Sequence, residues 1–112
     1  MKLRFKVWME KGGQHVFGRG RARLLKAIDR EGSIQAAARK MGLSYRHAWA
    51  MLKTSEQRLG RELVERVRGG AGGGGTHLTE EGKKLVRLYG RIESAFQKLL
   101  EEQQVALDDS IC

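Results

Sequence analysis

Cationic and hydrogen-bonding side chains are concentrated between residues 44 and 54. The members of this group are Ser44, Tyr45, Arg46, His47, Lys53 and Thr54. The guanidinium of Arg46 can donate to two acceptors on one guanine edge or to a phosphate. Lys53 follows seven residues later, on the same face of a helix, and suits a phosphate. These residue types at this spacing predict a surface that binds a polyanion.

A second candidate group flanks this stretch. Its members are Ser33, Arg66, Arg68, Gly72 and Gly73. Arg66 and Arg68 alternate, so on a strand they point to the same side. Residues 69–75 are six glycines and one alanine, and any contact they make must come from backbone N–H groups approaching phosphates. A loop without a binding role is an equally good interpretation. A nucleotide-binding P-loop is disfavoured, because residues 76–77 are Thr-His instead of Lys-Ser/Thr.

Residue types that carry catalysis or bind metals are scattered along the chain. His15, His47 and His77 have no cysteine or carboxylate at the spacing of metal ligands. The sequence shows no Ser-His-Asp or Cys-His combination, and its single cysteine is Cys112. The sequence therefore predicts that the chain is not an enzyme and holds neither a metal nor a cofactor.

The charge of the chain is positive and unevenly distributed. The chain has 112 residues and a formal net charge of +9. Residues 1–68 carry 17 basic and 6 acidic side chains, a net charge of +11, whereas residues 69–112 carry a net charge of −2. The basic part predicts a nucleic acid or another polyanion as the partner.

Length and composition restrict the class of protein further. The chain is long enough for one domain, and 40% of its residues are hydrophobic, which allows a core. No apolar run is long enough to span a membrane, and the first residues lack the apolar stretch of a signal peptide. One cysteine cannot form an internal disulfide, so we expect a cytoplasmic protein.

The first third of the chain predicts a hairpin followed by a helix. Residues 2–7 alternate between basic and apolar side chains, which predicts a half-buried strand. Glycines at 12–13 break this pattern, and residues 14–17 predict the returning strand. From Gly20 the apolar residues follow a helical period, and Gly32 is placed to end that helix.

Two helices joined by a short turn are predicted next. Ser33 and Ser44 are suitable N-caps for helices over residues 34–41 and 45–59. Small residues near the crossing and a glycine in the turn predict a helix-turn-helix over residues 33–59. An ordinary helical hairpin is the alternative. Large aromatic residues on such a helix are usually in the core, and we expect this of Trp49 rather than a contact with DNA.

A β-ribbon follows the helix-turn-helix. Residues 63–68 alternate as a strand, and residues 76–78 can pair back after the glycine run. A ribbon that follows a helix-turn-helix in this way is predicted to be the wing of a winged helix, over residues 63–78. Residues 1–78 are thus predicted to form a winged helix-turn-helix domain, mainly α with a small β component.

The remaining residues, 79–112, predict a long C-terminal helix to about Leu107 and a short tail. Large apolar side chains recur along it in steps of four and three, as in a short coiled-coil seam: Leu85, Tyr89, Ile92, Phe96 and Leu99. A helix of this length is too long to be covered by the preceding domain, so we predict that it holds a homodimer together. Burial of the apolar residues within one chain is the alternative.

Several short runs of the sequence are shared with a known family. They are Gly32-Ser33-Ile34, Ser44-Tyr45, Ala48-Trp49, Leu63-Val64-Glu65-Arg66, and the glycine run leading into Leu78-Thr79 and Gly82. Over roughly residues 18–100 the sequence resembles the N-terminal DNA-binding domain of the ModE family, the molybdate-responsive bacterial transcription regulators. The LysR-type regulators resemble the helix-turn-helix part of the chain, but not this wing.

The resemblance implies a sequence-specific transcription regulator that binds double-stranded DNA as a homodimer in a bacterial or archaeal cytoplasm. Full-length members of the ModE family continue into molbindin-like domains that hold the oxyanion, whereas this sequence ends at Cys112. We therefore expect DNA binding and dimerisation, but no binding of molybdate. The alternatives are a winged-helix module that binds an acidic protein partner and a nucleoid protein that binds DNA without sequence preference.

Overall fold

The computed structural model describes residues 1–69 and 74–111. In chain order the elements are β1 (Met9–Lys11), β2 (Gln14–Phe17), α1 (Arg19–Glu31), α2 (Ile34–Met41), α3 (Tyr45–Leu59), β3 (Val64–Val67), β4 (Gly75–Leu78) and α4 (Glu80–Ile111). The strands form two separate antiparallel hairpins. Gly72, Gly73 and Cys112 lie outside the described residues.

The prediction of an N-terminal strand over residues 2–7 is wrong. The strand is Met9–Lys11, because the glycine pair forms a two-residue turn that pairs Lys11 with Gln14. The apolar residues of the preceding segment, Leu3, Phe5 and Val7, still alternate as the half-buried positions. The segment lies along α4, since its Leu3 N–H donates to Gln104 and its Val7 carbonyl accepts from the Tyr89 hydroxyl. The ring of Phe5 stacks on that of Phe96 with 6.0 Å between centroids. The alternation had indicated which side is buried, but not that a helix would cover it.

The helix boundaries follow the predicted caps. The Ser33 hydroxyl accepts from the Ala36 backbone N–H, and the Ser44 hydroxyl accepts from the His47 N–H, both at 3.0 Å. Gly42, in the turn between α2 and α3, has a φ of 69°, a left-handed conformation that a side chain would strain. The helix-turn-helix predicted over residues 33–59 is thus present.

The core lies where α1, α2 and α3 meet β2 and the start of α4. Its largest fully buried apolar side chains are Phe17, Leu24, Leu25, Ile28, Leu52 and Leu63. Small residues, Ala37, Ala38 and Ala48, lie in the same cluster and let α2 and α3 approach closely. The ring of Tyr89 meets that of Phe17 edge to face at 5.7 Å, which fixes the first half of α4 on this core.

The wing is anchored to the ends of two helices. The Glu56 carboxylate on α3 accepts from the Leu63 N–H at 2.8 Å, and the Asp29 carboxylate on α1 accepts from the Leu78 N–H at 3.1 Å. The Thr76 N–H donates to the Gly32 carbonyl at 2.8 Å. These bonds set the orientation of the β3–β4 hairpin relative to α3.

Helix α4 has 32 residues and continues to Ile111, past the predicted end near Leu107. Thr79 caps it, because its hydroxyl accepts from the Gly82 N–H at 3.0 Å. The molecule is 58 Å along its longest axis. Within residues 1–69 and 74–111, no helix is both long and apolar enough to cross a membrane.

Candidate nucleic-acid interface

Helix α3 has one buried face and one exposed face. Ala48, Leu52 and Ser55 are buried, and the Ser55 hydroxyl donates to the Val16 carbonyl at 2.6 Å. The opposite face is exposed and includes Arg46 and Ala50. The packing therefore fixes the orientation of the helix on the core, while the side of Arg46 stays open to solvent.

The N-terminal end of α3 is the most polar exposed part of this helix. Its residues Ser44, Tyr45, Arg46 and His47 are all exposed. Residues 32–55 contain four cationic side chains and no carboxylate. An anion that approaches this end of the helix meets cations, side-chain donors and the helix N-terminus together.

A cavity of about 400 Å³ joins this end of α3 to α2 and to the wing. Its lining residues are Ser33, Ile34, Gln35, Tyr45, Arg66 and Thr76. Three of the predicted site residues, at the cap of α2, in α3 and in β3, thus lie around one depression. The Arg66 side chain is exposed at its rim, and Arg68 follows the end of β3 and is also exposed.

Lys53 and Thr54 lie further along α3 and are half-buried. The Lys53 ammonium is 3.1 Å from the Glu56 carboxylate and 5.9 Å from the centre of the Trp49 ring. Glu56 also accepts from the wing backbone, so it links Lys53 to β3. Lys53 is therefore held at a defined position beside the wing.

Trp49 contradicts the sequence-based expectation that it belongs to the core, since 44% of its surface is exposed. It lies on the flank of α3 between the buried and the open faces. Helical periodicity places Trp49 and Leu52 close together around the helix axis. It does not show how much of the helix circumference the core covers.

A group of charged residues near α1 lies away from this surface. Arg19 donates to the Glu93 carboxylate at 2.8 Å, and this bond lowers the pKa of Glu93. Burial lowers the pKa of His15, and the nearby cations Arg21 and Arg58 lower it further. Among the described residues, no three histidine, cysteine or carboxylate side chains come together as a metal site.

The predicted dimer seam is divided by the fold. Tyr89 is only 3% exposed, and its hydroxyl donates to the Val7 carbonyl at 2.9 Å, so its ring belongs to the core of one chain. Leu85 packs against the edge of the core. The other residues of the predicted seam are Ile92, Phe96 and Leu99. Together with Leu88 beside them, they form a surface that we call the α4 apolar stripe. Leu88, Phe96 and Leu99 are exposed.

Comparison with known proteins gives a family match and curated relatives. The family described as bacterial regulatory helix-turn-helix protein, lysR family, matches residues 20–83. The molybdenum transport protein ModE of Azotobacter vinelandii is 43% identical over 89 residues, which are 80% of this chain and 33% of that protein. The DNA-binding transcriptional dual regulator ModE of Escherichia coli (strain K12) is 41% identical over 81 residues, 72% of this chain and 31% of that protein.

These relatives confirm the predicted resemblance to ModE, and the chain spans about a third of their length. Their names describe regulators and a transport protein rather than enzymes, in agreement with the prediction. Among solved structures, that of the CbnR_DBD–DNA complex has a TM-score of 0.60 and is 22% identical, covering 78% of this chain and 94% of that chain. This likeness confirms the winged helix-turn-helix fold.

Proposed function

The chain belongs to the lysR family of bacterial regulatory helix-turn-helix proteins, and from that premise we propose that it is a sequence-specific, DNA-binding transcription regulator that acts as a homodimer in the cytoplasm. The observation that carries the proposal is the exposed N-terminal end of α3, in a segment with four cations and no carboxylate. The major groove of B-DNA admits one α-helix, and its phosphates supply the negative charge that this end of α3 lacks.

Base readout is assigned to Arg46, with contributions from His47 and Thr54. Arg46 is exposed on the open face in the first turn of α3, the part of a recognition helix that enters the groove. Its planar fork can donate to both acceptors of a guanine. Tyr45, beside it, is 52% exposed and carries a hydroxyl for a phosphate or a water-mediated contact.

Phosphate contacts are assigned to the residues around the cavity and along the wing. The Ser33 and Ser44 oxygens each accept from a backbone N–H, so the hydroxyl protons remain for donation to phosphate oxygens. Arg66, Arg68 and Lys53 supply charge. Gly72 and Gly73 lie outside the described residues and stay part of the proposal, from the sequence alone, as backbone contacts to phosphates.

Dimerisation is assigned to the α4 apolar stripe. Leu88, Phe96 and Leu99 are exposed there. Full burial of a large apolar side chain contributes about 1.5–3 kcal/mol, so covering several of them with a second α4 supports a stable pair. A dimer also places two α3 helices on one duplex.

Charge along α4 favours an antiparallel pair. Residues 83–91 of the helix carry four cations and no carboxylate, and residues 101–109 carry four carboxylates and no cation. Antiparallel packing brings the acidic segment of one helix toward the basic segment of its partner. Parallel packing would bring like charges together and cost free energy.

Selection of bound duplexes from a random pool tests this proposal. We expect enrichment of one sequence with two inverted half-sites, and binding that weakens steeply as salt increases. Binding without enrichment would instead identify a nucleoid protein. If no duplex is retained, the basic surface serves a protein partner and the proposal fails.

A further inference from the structure

The two tryptophans of the chain differ in the hydrogen bonding of their indole N–H groups. Trp8 is 45% exposed, and its indole N–H donates to the Glu10 carboxylate at 2.8 Å. Trp49 is exposed to the same extent, but its indole N–H has no hydrogen-bond partner among the described residues, and no aromatic ring there stacks on it. The indole N–H of Trp8 is thus satisfied within the chain, whereas that of Trp49 is left to solvent.

Trp49 belongs to a ridge along α3. Tyr45 lies one turn before it and Lys53 one turn after it, so the three side chains share one flank of the helix. The Lys53 ammonium lies 5.9 Å from the centre of the indole ring. At the other end, Tyr45 shares the 400 Å³ cavity with Arg66 of the wing.

The position of Glu56 shows which way this ridge faces. Its carboxylate bonds to the Leu63 and Val64 N–H groups, so its flank of α3 faces β3. At 100° per residue, Trp49 is about 20° from Glu56 around the helix, whereas Arg46 and Ala50 are about 60° and 100° further toward the open face. The ridge is thus on the wing side, beside the face assigned to base readout.

We propose that Trp49 is a DNA-contact residue whose indole packs on a deoxyribose of the strand that forms the wing-side wall of the major groove. This inference rests on the proposed function. The open face of a helix in the groove meets base edges, and its flank meets the sugar-phosphate wall. There the indole N–H donates to a phosphate oxygen, and the Lys53 ammonium above the ring neutralises the same phosphate. The contact adds affinity for every duplex sequence.

Tryptophan fluorescence tests the contact without altering Trp49. In the Trp8→Phe variant Trp49 is the only tryptophan, and in Trp49→Phe only Trp8 remains. Labelled-duplex anisotropy shows, independently of tryptophan, that DNA is bound. On saturation with duplex we expect a blue shift and weaker acrylamide quenching in Trp8→Phe, and no change in Trp49→Phe. Bound duplex with unchanged Trp49 emission overturns the inference. Failure to bind any duplex overturns the proposed function, and this inference with it.

An affinity series separates a sugar contact from a base contact. Trp49→Ala should weaken the selected and scrambled duplexes by the same factor, about tenfold, since half of a large aromatic surface loses its cover. Trp8→Ala, with its folding checked by thermal unfolding, should bind as the wild type does. Replacing thymine by uracil in the selected site removes the C5-methyl groups. If that change weakens the wild type but not Trp49→Ala, the indole reads a base and the sugar contact is wrong.

Discussion

The open face of α3 and the outer half of α4 differ in the residues that they present to solvent. The first carries Arg46, polar side chains and no carboxylate, on a helix held by buried packing. The second carries apolar side chains followed by acids, on a helix that extends past the domain. A duplex suits the first and would be repelled by the acidic end of the second, which a second copy of the chain can cover. We therefore expect DNA binding and pairing to use different parts of the chain.

Disrupting the α4 apolar stripe should have the largest effect. Ile92→Glu with Leu99→Glu introduces charge where we expect partner contacts, so light scattering should give a monomer. Loss of the second half-site should weaken binding of the selected duplex about 100-fold or more. Ser94→Glu, at an exposed position on another face of α4, is the matched control and should stay dimeric. A wild-type monomer at micromolar concentration would contradict the pairing role of this stripe.

Arg46→Ala should have the next largest effect, and only on the selected duplex. The loss of a bidentate guanine contact costs about 1–3 kcal/mol and relaxes preference at one base pair. Competition binding against scrambled DNA measures it. An equal loss on both duplexes would show that Arg46 contacts a phosphate, and readout would then move to Tyr45, His47 or the wing.

Lys53→Ala and Arg66→Ala test the phosphate contacts, as Arg46→Ala tests base readout. Each should weaken selected and scrambled duplexes by a similar factor and reduce the slope of log affinity against log salt by about one. A titration at several salt concentrations measures the slope. Sequence-dependent loss in either variant would place base readout on the wing side of α3.

Two glycine-to-alanine variants, one in the wing and one in α4, should change the free energy of unfolding in opposite directions. A Cβ on Gly75, where φ is 115°, would lie 2.5 Å from the Gly32 carbonyl oxygen, so Gly75→Ala should lower the free energy of unfolding by about 1–3 kcal/mol. Gly90 is in α4, and outside the backbone of that helix and the neighbouring residues no atom lies within 4 Å of such a Cβ. Gly90→Ala should therefore raise the free energy of unfolding by about 0.5–1 kcal/mol. Thermal unfolding checks both, and equal stability of the two variants would contradict the anchoring of the wing.

The smallest effect concerns the Arg19–Glu93 pair. Hydrogen bonding to Arg19 lowers the pKa of Glu93 below its ordinary value of 4.5. The pair therefore stabilises the fold above pH 4.5, and this contribution is lost as pH falls through the lowered pKa. Unfolding measured across that range should depend on pH less in Glu93→Gln than in the wild type. Identical pH profiles would show that the pair contributes nothing.

Local chemistry made much of this fold predictable, because Ser33, Ser44 and Gly42 determine helix ends through their nearest neighbours. Tertiary partners were not predictable in the same way. The alternation in residues 2–7 indicated a buried side, but could not identify α4 as its cover. The periodicity of α4 could not separate Tyr89, buried under Phe17, from the exposed Leu99. Likewise the sequence indicated candidate interface residues, but not that Ser33, Tyr45 and Arg66 lie around one cavity.

Mapping amide chemical shifts on adding the selected duplex tests the central claim most directly. Shifts should concentrate in residues 44–54 and in the wing strands β3 and β4, with Arg46 and Trp49 among the largest. Residues 97–111 of α4 should keep the shifts of the free dimer. Changes confined to α4, or none in α3, would contradict the assignment of DNA binding to the open face of α3.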